Sequence, residues 1–301
     1  MREDPTLLED ARGRVEPARA VLLEHVASPR TGTVSDPADW AAVVTLERLA
    51  AEVGADDPST LQALLAGDGT ASVHALVDEA LDRVAVGLVR RERGQRVDSG
   101  VLNAAAGHHS VTTDAALLRA AARAAHASFT AMPYYGARYG ARGSRFAGTD
   151  SAWLASLAAL PPEPALRQVL WLSRVLATRG MPSWLMERHL ADLSTWMERT
   201  AGSGAGGSLP VVAAALTAER VAVCPDDLLE RAEERVALVV GADRPVPHAG
   251  RLVGAAAADV RLGRAVDTEP LLAWLAAPEQ VDDEAAVALR EVASWVDARL
   301  G

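Results

Sequence analysis

The sequence predicts an all-α fold, and three observations lead there. Alanine and leucine dominate a chain of 301 residues that is 50% hydrophobic and 23% charged, which is globular in composition and rich in good helix formers. Apolar positions recur at spacings of three and four rather than two. Alternating β-branched stretches are scarce, and isoleucine is absent altogether.

Taken in order, the assigned helices begin at residue 37. Asp36-Pro37 offers an N-cap and a first-turn proline for 37–53, and Asp57-Pro58 does the same for 58–66. Apolar stripes run through 71–93 and through the alanine-rich 113–130. No helix is assigned to 131–148, which holds Pro133 and four glycines; the next is 149–160. A helix at 164–179 has Gly180 as its C-terminal cap, and Pro182-Ser183 starts 183–199. The remaining helices are 209–222, 226–240, 247–262, 268–276 and 282–299. The pairs Asp56-Asp57, Asp226-Asp227 and Asp282-Asp283 precede helices and suit caps and helix-dipole partners. Gly202-Ser203-Gly204-Ala205-Gly206-Gly207-Ser208 is flexible by composition, as an interdomain linker or a long surface loop. No repeat of fixed period and no sustained heptad is visible.

Charge and cysteine usage exclude several function classes. A net charge of −10 argues against nucleic acid as the main partner, because backbone binding needs a broad positive surface. Cys224 is the only cysteine, which rules out an internal disulfide and a cysteine-based zinc cluster. The charged start, Met1-Arg2-Glu3-Asp4-Pro5, lacks a signal peptide's apolar run, and no stretch of ~20 apolar residues occurs. A soluble, cytoplasmic protein without a membrane partner is expected. The chain has no lysine, a bias of GC-rich bacterial genomes, so the placement of arginine says more than its number.

That placement is uneven. Residues 115–149 hold Arg119, Arg123, Arg138, Arg142 and Arg145 and no acidic residue, and all three tyrosines of the protein fall within 134–139. Asp150 closes the acid-free window. Guanidinium groups beside aromatic rings, followed by one carboxylate, suit a flat, anionic, conjugated ligand carrying N–H groups. The plain alternative is a solvated arginine-rich loop and helix edge. Candidate ligand-binding residues are Asp150, Arg142, Arg145, Arg138, Tyr135, Tyr139, Trp153 and His189.

Chemistry elsewhere is sparse. His108-His109 are adjacent beside Gly107, which suits a loop and not a helical metal site with histidines three or four apart. His189 shares a helix face with Leu185 and Leu193, and a neighbouring helix is expected to satisfy it. Trp153, Trp171, Trp184 and Trp196 recur on consecutive helices; core packing is expected for at least three of them, with one or two left to wall a ligand slot. No nucleophile elbow, phosphate loop or dinucleotide fingerprint is present. Cys224 beside Pro225 has no local histidine and reads as a packed small side chain. No catalytic residue is assigned.

One family pattern stands out. Tyr139-Gly-Ala-Arg142-Gly-Ser-Arg145-Phe146-Ala-Gly-Thr-Asp150-Ser-Ala-Trp153-Leu154 resembles the arginine-rich junction of phycobiliproteins, the bilin-binding branch of the globin superfamily, and their non-photosynthetic relatives. Leu172-Ser-Arg-Val-Leu-Ala-Thr-Arg-Gly180-Met-Pro182-Ser-Trp184 is similar to the later point where one helix of that family gives way to the next long helix. Together these motifs lie within residues 113–200, less than a third of the chain. The resemblance implies a globin-like core in which Asp150 faces pyrrole nitrogens and Arg142 and Arg145 pair with propionates. The stretch from Phe146 to Gly148, where the chromophore-linking cysteine belongs, has none, so a bilin would be held without a thioether.

The resulting expectation is an all-α protein in three parts: an N-terminal helical extension at 1–70, a globin-like domain at 71–240 and a C-terminal helical segment at 241–301. The leading function is non-covalent, non-enzymatic binding of a bilin-type linear tetrapyrrole or a similar small planar anionic ligand. The alternative is a ligand-free signalling or sensor module that binds a protein partner; it predicts arginines paired with distant carboxylates, and a homodimer through long helices. The third is a haem or metal protein using His189, His126 or His109, with haem ranked behind a bilin as cofactor.

Overall fold

The computed structural model describes residues 5–240 and 246–300. The charged start Met1 to Asp4 and the opening residues of the expected 241–301 segment lie outside them. The chain forms α1 (Pro5–Ala11), α2 (Val15–Ala27), α3 (Pro37–Val53), α4 (Pro58–Ala66), α5 (Ala71–Glu92), α6 (Ala115–Ala131), α7 (Pro133–Leu157), α8 (Pro162–Ala177), α9 (Ser183–Ala201), α10 (Leu209–Val223), α11 (Asp226–Val240), α12 (Ala249–Arg261), α13 (Glu269–Leu275) and α14 (Asp283–Asp297). Among the described residues the only β-pairing recorded is an isolated bridge between Thr33 and Asp114. The fold is all-α. No described helix is long and apolar enough to cross a membrane.

Local chemistry explains the boundaries. The Asp36 side chain accepts from the backbone N–H groups of Ala38 and Asp39, and Asp57 accepts from that of Thr60. Asp282 likewise caps α14 through Ala285 N–H, whereas Asp226 and Asp227 lie inside the first turn of α11. Three stretches without an assigned helix are helical: α1, α2 and the first part of α7. In α2, Pro17 falls in the first turn, where its missing N–H is not needed, and Ala18, Leu22 and Val26 bury one face. In α7, Pro133 occupies the first position and the glycines are carried within the helix. Only Gly140 departs from helical geometry, at φ 53° and ψ −151°, a conformation open essentially to glycine alone.

The chain divides into two compact units. Unit 1 comprises residues 1–127, 141–157 and 193–206; unit 2 comprises 128–140, 158–192 and 207–301. In unit 1, α3 packs against α5. Gly87 makes that approach feasible, because a Cβ there would lie 2.6 Å from the Ala38 Cα. Trp40 is fully buried on α3 and its Nε1 donates to the Thr112 carbonyl. In unit 2, α11, α12 and α14 pack together, and a Cβ at Gly250 or Gly254 would run into α11. Their core includes Leu228, Leu252, Leu271, Leu289 and Val296, with Met132, Tyr134 and Trp184 in the same cluster.

Candidate functional site

The acid-free window changes character at Gly140. Upstream, within unit 2, Arg138 is enclosed. Its guanidinium lies 5.7, 5.2 and 5.6 Å from the ring centroids of Tyr134, Tyr139 and Trp274, close enough for cation–π attraction. Nη1 donates to the Tyr134 hydroxyl at 2.6 Å and to the Gly180 carbonyl at 3.3 Å, and Nη2 donates to the Pro270 carbonyl. The Tyr134 hydroxyl donates to Gly180 O, and Tyr139 Oη donates to the Arg179 carbonyl at 3.0 Å. Gly180 sits at φ +79°, and a Cβ on it would lie 2.5 Å from Arg138 Nη1. This arginine ties α7 to the end of α8 and the start of α13.

The other upstream candidates are similarly enclosed. Tyr135 is buried and stacks on Phe129 at 5.0 Å between centroids. Burial pushes the hydroxyls of Tyr134, Tyr135 and Tyr139 above the ordinary phenol value; for Tyr134 the Arg138 charge works against that rise. His189 Nδ1 lies 2.8 Å from Ser128 Oγ on α6, the neighbouring-helix partner expected of it. Burial lowers its pKa to about 4, so the ring is neutral near pH 7.

Downstream of Gly140, within unit 1, Arg142 and Arg145 make fewer contacts. Arg142 is exposed, its guanidinium 5.8 Å from the Phe146 ring, and it makes no ion pair among the described residues. Arg145 lies 4.0 Å from Glu79. Asp150 is partly buried, and the Trp153 ring meets His109 edge-on at 6.5 Å. Arg142, Phe146, Asp150 and Trp153 follow at i, i+4, i+8 and i+11, so they share one face of α7. Arg123 pairs with Glu47 at 3.0 Å and Asp56 at 2.8 Å, and Arg119 reaches Glu47 at 3.5 Å. The eight candidates therefore fall in two groups: Arg138, Tyr135, Tyr139 and His189 in unit 2, and Arg142, Arg145, Asp150 and Trp153 in unit 1.

The histidine and tryptophan expectations resolve individually. His108 approaches Asp98 at 3.0 Å, and His109 Nδ1 lies 3.0 Å from Ser99 Oγ in the loop after α5. That Ser–His pair resembles a nucleophile and base, but Ser99 is fully buried and its hydroxyl donates to the Gly107 carbonyl. No group of three or more histidine, cysteine or acidic residues able to hold a metal occurs among the described residues. Trp184 is buried and Trp153 and Trp196 are half-buried, whereas Trp171 is 58% exposed. Core packing for three of the four is only partly met. Cys224 is buried and desolvation pushes its thiol up to about 11, so it is inert as a nucleophile.

Two further features stand outside the candidate residues. Asp259, at the end of an alanine run, accepts from the Ser183 backbone N–H at 2.7 Å and from its hydroxyl, while Arg264 Nη1 donates to Ser183 Oγ at 2.7 Å. All three side chains are buried. Asp259 thus supplies in trans the N-cap of α9. Burial raises its pKa, against the pull of the Ser183 hydrogen bonds and the Arg264 charge. The second is α8, on which Glu163, Arg167, Trp171 and Arg174 are all exposed and spaced along one face. Arg167 pairs with Glu163 at 3.0 Å, while Arg174 makes no ion pair among the described residues.

No family model, curated protein or solved structure matches the chain.

Proposed function

We propose that the chain is a non-enzymatic helical module that binds a protein partner, docking an acidic amphipathic helix along the exposed face of α8. The observation that carries this is Trp171, 58% exposed, between Arg167 and Arg174 in a chain of net charge −10. Tryptophan and arginine are the side chains that dominate binding hot spots, and more than half of the Trp171 surface is open to a partner. The flanking guanidinium groups favour a partner segment carrying carboxylates. Further support comes from the window itself. Arg145 faces the distant carboxylate of Glu79, and Arg138 is engaged by carbonyls and rings, which leaves neither of these two arginines of the window to a planar anionic ligand.

The test is a selection of displayed helical peptides of varied net charge on the full chain. Enriched peptides should be acidic, with aliphatic residues at i and i+3 or i+4, and should lose at least about tenfold in affinity on Trp171→Ser, a change of ~1.4 kcal/mol. Peptides that bind the Trp171→Ser protein equally well, or no enrichment, overturn this role. A dimer in sedimentation that dissociates on Trp171→Ser would assign the surface to a second copy instead.

A tetrapyrrole-binding role is favoured by one narrower observation: exposed Arg142 shares a face of α7 with the half-buried Phe146, Asp150 and Trp153. Spectra of the protein mixed with biliverdin, and separately with haem, test it. A shift abolished by Arg142→Ala or Asp150→Asn supports the role; unchanged spectra remove it.

A further inference from the structure

Unit 1 contains a cleft of about 110 Å³ lined by residues of α2, α3, α4 and α6. Its walls include Val26, Val43, Leu46 and Leu61. The titratable groups lining it are His25, Glu47, Asp56, Arg119 and Arg123. Arg119 and Arg123 are one turn apart on α6 and both approach Glu47 of α3, at 3.5 and 3.0 Å. Two guanidinium groups against one carboxylate leave a charge of +1. Asp56 answers it, 2.8 Å from Arg123 Nη2, but its side chain is 81% exposed. His25 turns its Nε2 toward Asp39, 3.4 Å away, outside the lining.

We infer that this cleft binds a short aliphatic monocarboxylate of about four to six carbons, with its carboxylate taking the place of Asp56 on Arg123 and its hydrocarbon tail against the valine and leucine walls. Three features select that chemistry. Arg123 meets a solvated carboxylate on a chain connection, a partner that an incoming anion can replace and an amine cannot. The apolar walls disfavour inorganic phosphate, which has no apolar face. The volume is somewhat below the ~150 Å³ of a cavity that accommodates benzene, so the walls cover a chain of about four to six carbons and give a longer one no further contact. Arg119 is held in place by a donation from Nη2 to the Arg30 carbonyl at 2.5 Å, so the rim is already arranged without ligand.

Titration of the full chain with valerate, valeramide and pentylamine, followed by calorimetry and by amide chemical shifts, tests the inference. Valerate should bind with a Kd of about a millimolar, ~4 kcal/mol of affinity, with shifts confined to α2, α3, α4 and α6 and the connections between them; valeramide and pentylamine should bind at least about tenfold more weakly. Arg123→Gln should abolish valerate binding. Asp56→Asn removes the internal competitor without touching the core and should tighten binding about two- to fivefold, the strength of an exposed ion pair. Equal binding of valerate and valeramide, an Asp56→Asn protein with unchanged or weaker affinity, or no valerate binding by the folded wild-type chain each overturn it. None of these outcomes bears on docking at α8, which lies in unit 2.

Discussion

Arg138 and Arg142 stand four residues apart on one helix and have opposite fates. The first is wrapped by three aromatic rings and meets two backbone carbonyls and a phenol. The second is exposed, with a single ring at 5.8 Å. Composition treats them as one arginine-rich stretch. What separates them is the Gly140 kink and the glycine at 180 that leaves room for a guanidinium. An arginine near tyrosines is thus a candidate ligand contact only where no carbonyl from its own fold competes for its five donors.

The contrast can be broken most forcefully at Gly180. Gly180→Ala imposes a left-handed conformation on a residue with a Cβ and places that Cβ against Arg138, so unfolding free energy should fall by about 4 kcal/mol. Chemical denaturation measures it, and a loss under about 1 kcal/mol would show that the guanidinium is not held there. Arg138→Ala should cost about 2 kcal/mol by orphaning the Pro270 carbonyl and emptying the cation's place among the rings, while Gly180 O keeps its bond from the Tyr134 hydroxyl. Arg138→Lys should recover little of this, since a point charge does not reproduce the fork. If lysine restores full stability, charge over the rings matters and the carbonyls do not.

The enclosed region also has a pH signature. His189 ordinarily titrates near 6.5 but is held at about 4 by burial, so the unfolded chain binds the extra proton between those values. Its contribution to stability is intact above pH 6.5 and is lost as pH falls toward 4, by about 2 kcal/mol once its partial exposure is allowed for. Asp259 and Glu187, whose pKa values burial raises, act in the opposite sense, so the difference between wild type and His189→Gln isolates the histidine. A difference that stays flat from pH 7 to pH 4 rejects this account. At the other extreme, Arg142→Ala should leave stability within about 0.5 kcal/mol of wild type, and a larger loss would mean that this side chain has a structural partner after all.

Much of the helical framework was legible because caps are written locally. Asp36-Pro37 and Asp57-Pro58 name their helices with one side chain and one ring each. α2 was harder to see because Pro17 sits where proline is tolerated but also where it commonly ends a helix. The glycines of α7 hid a helix for the same reason: propensity argued for a loop, and tertiary packing overrode it. The candidate site was legible only as residue types. Which carbonyl faces Arg138 depends on residues 180 and 270, distant along the chain, and no spacing encodes that. Trp171 did carry a signal, since it falls outside the buried 165, 169, 172 stripe of its helix. Recurrence of tryptophan on successive helices is the usual mark of core packing and masks that offset.

The Gly180 backbone has a consequence for how the chain can change over generations. A methyl group at 180 becomes tolerable sterically only after the side chain at 138 shortens, and a shortened 138 strands the Pro270 carbonyl until something else donates to it. Viable substitutions at these two positions should therefore arrive as pairs, each silent partner rescuing a step that is harmful alone.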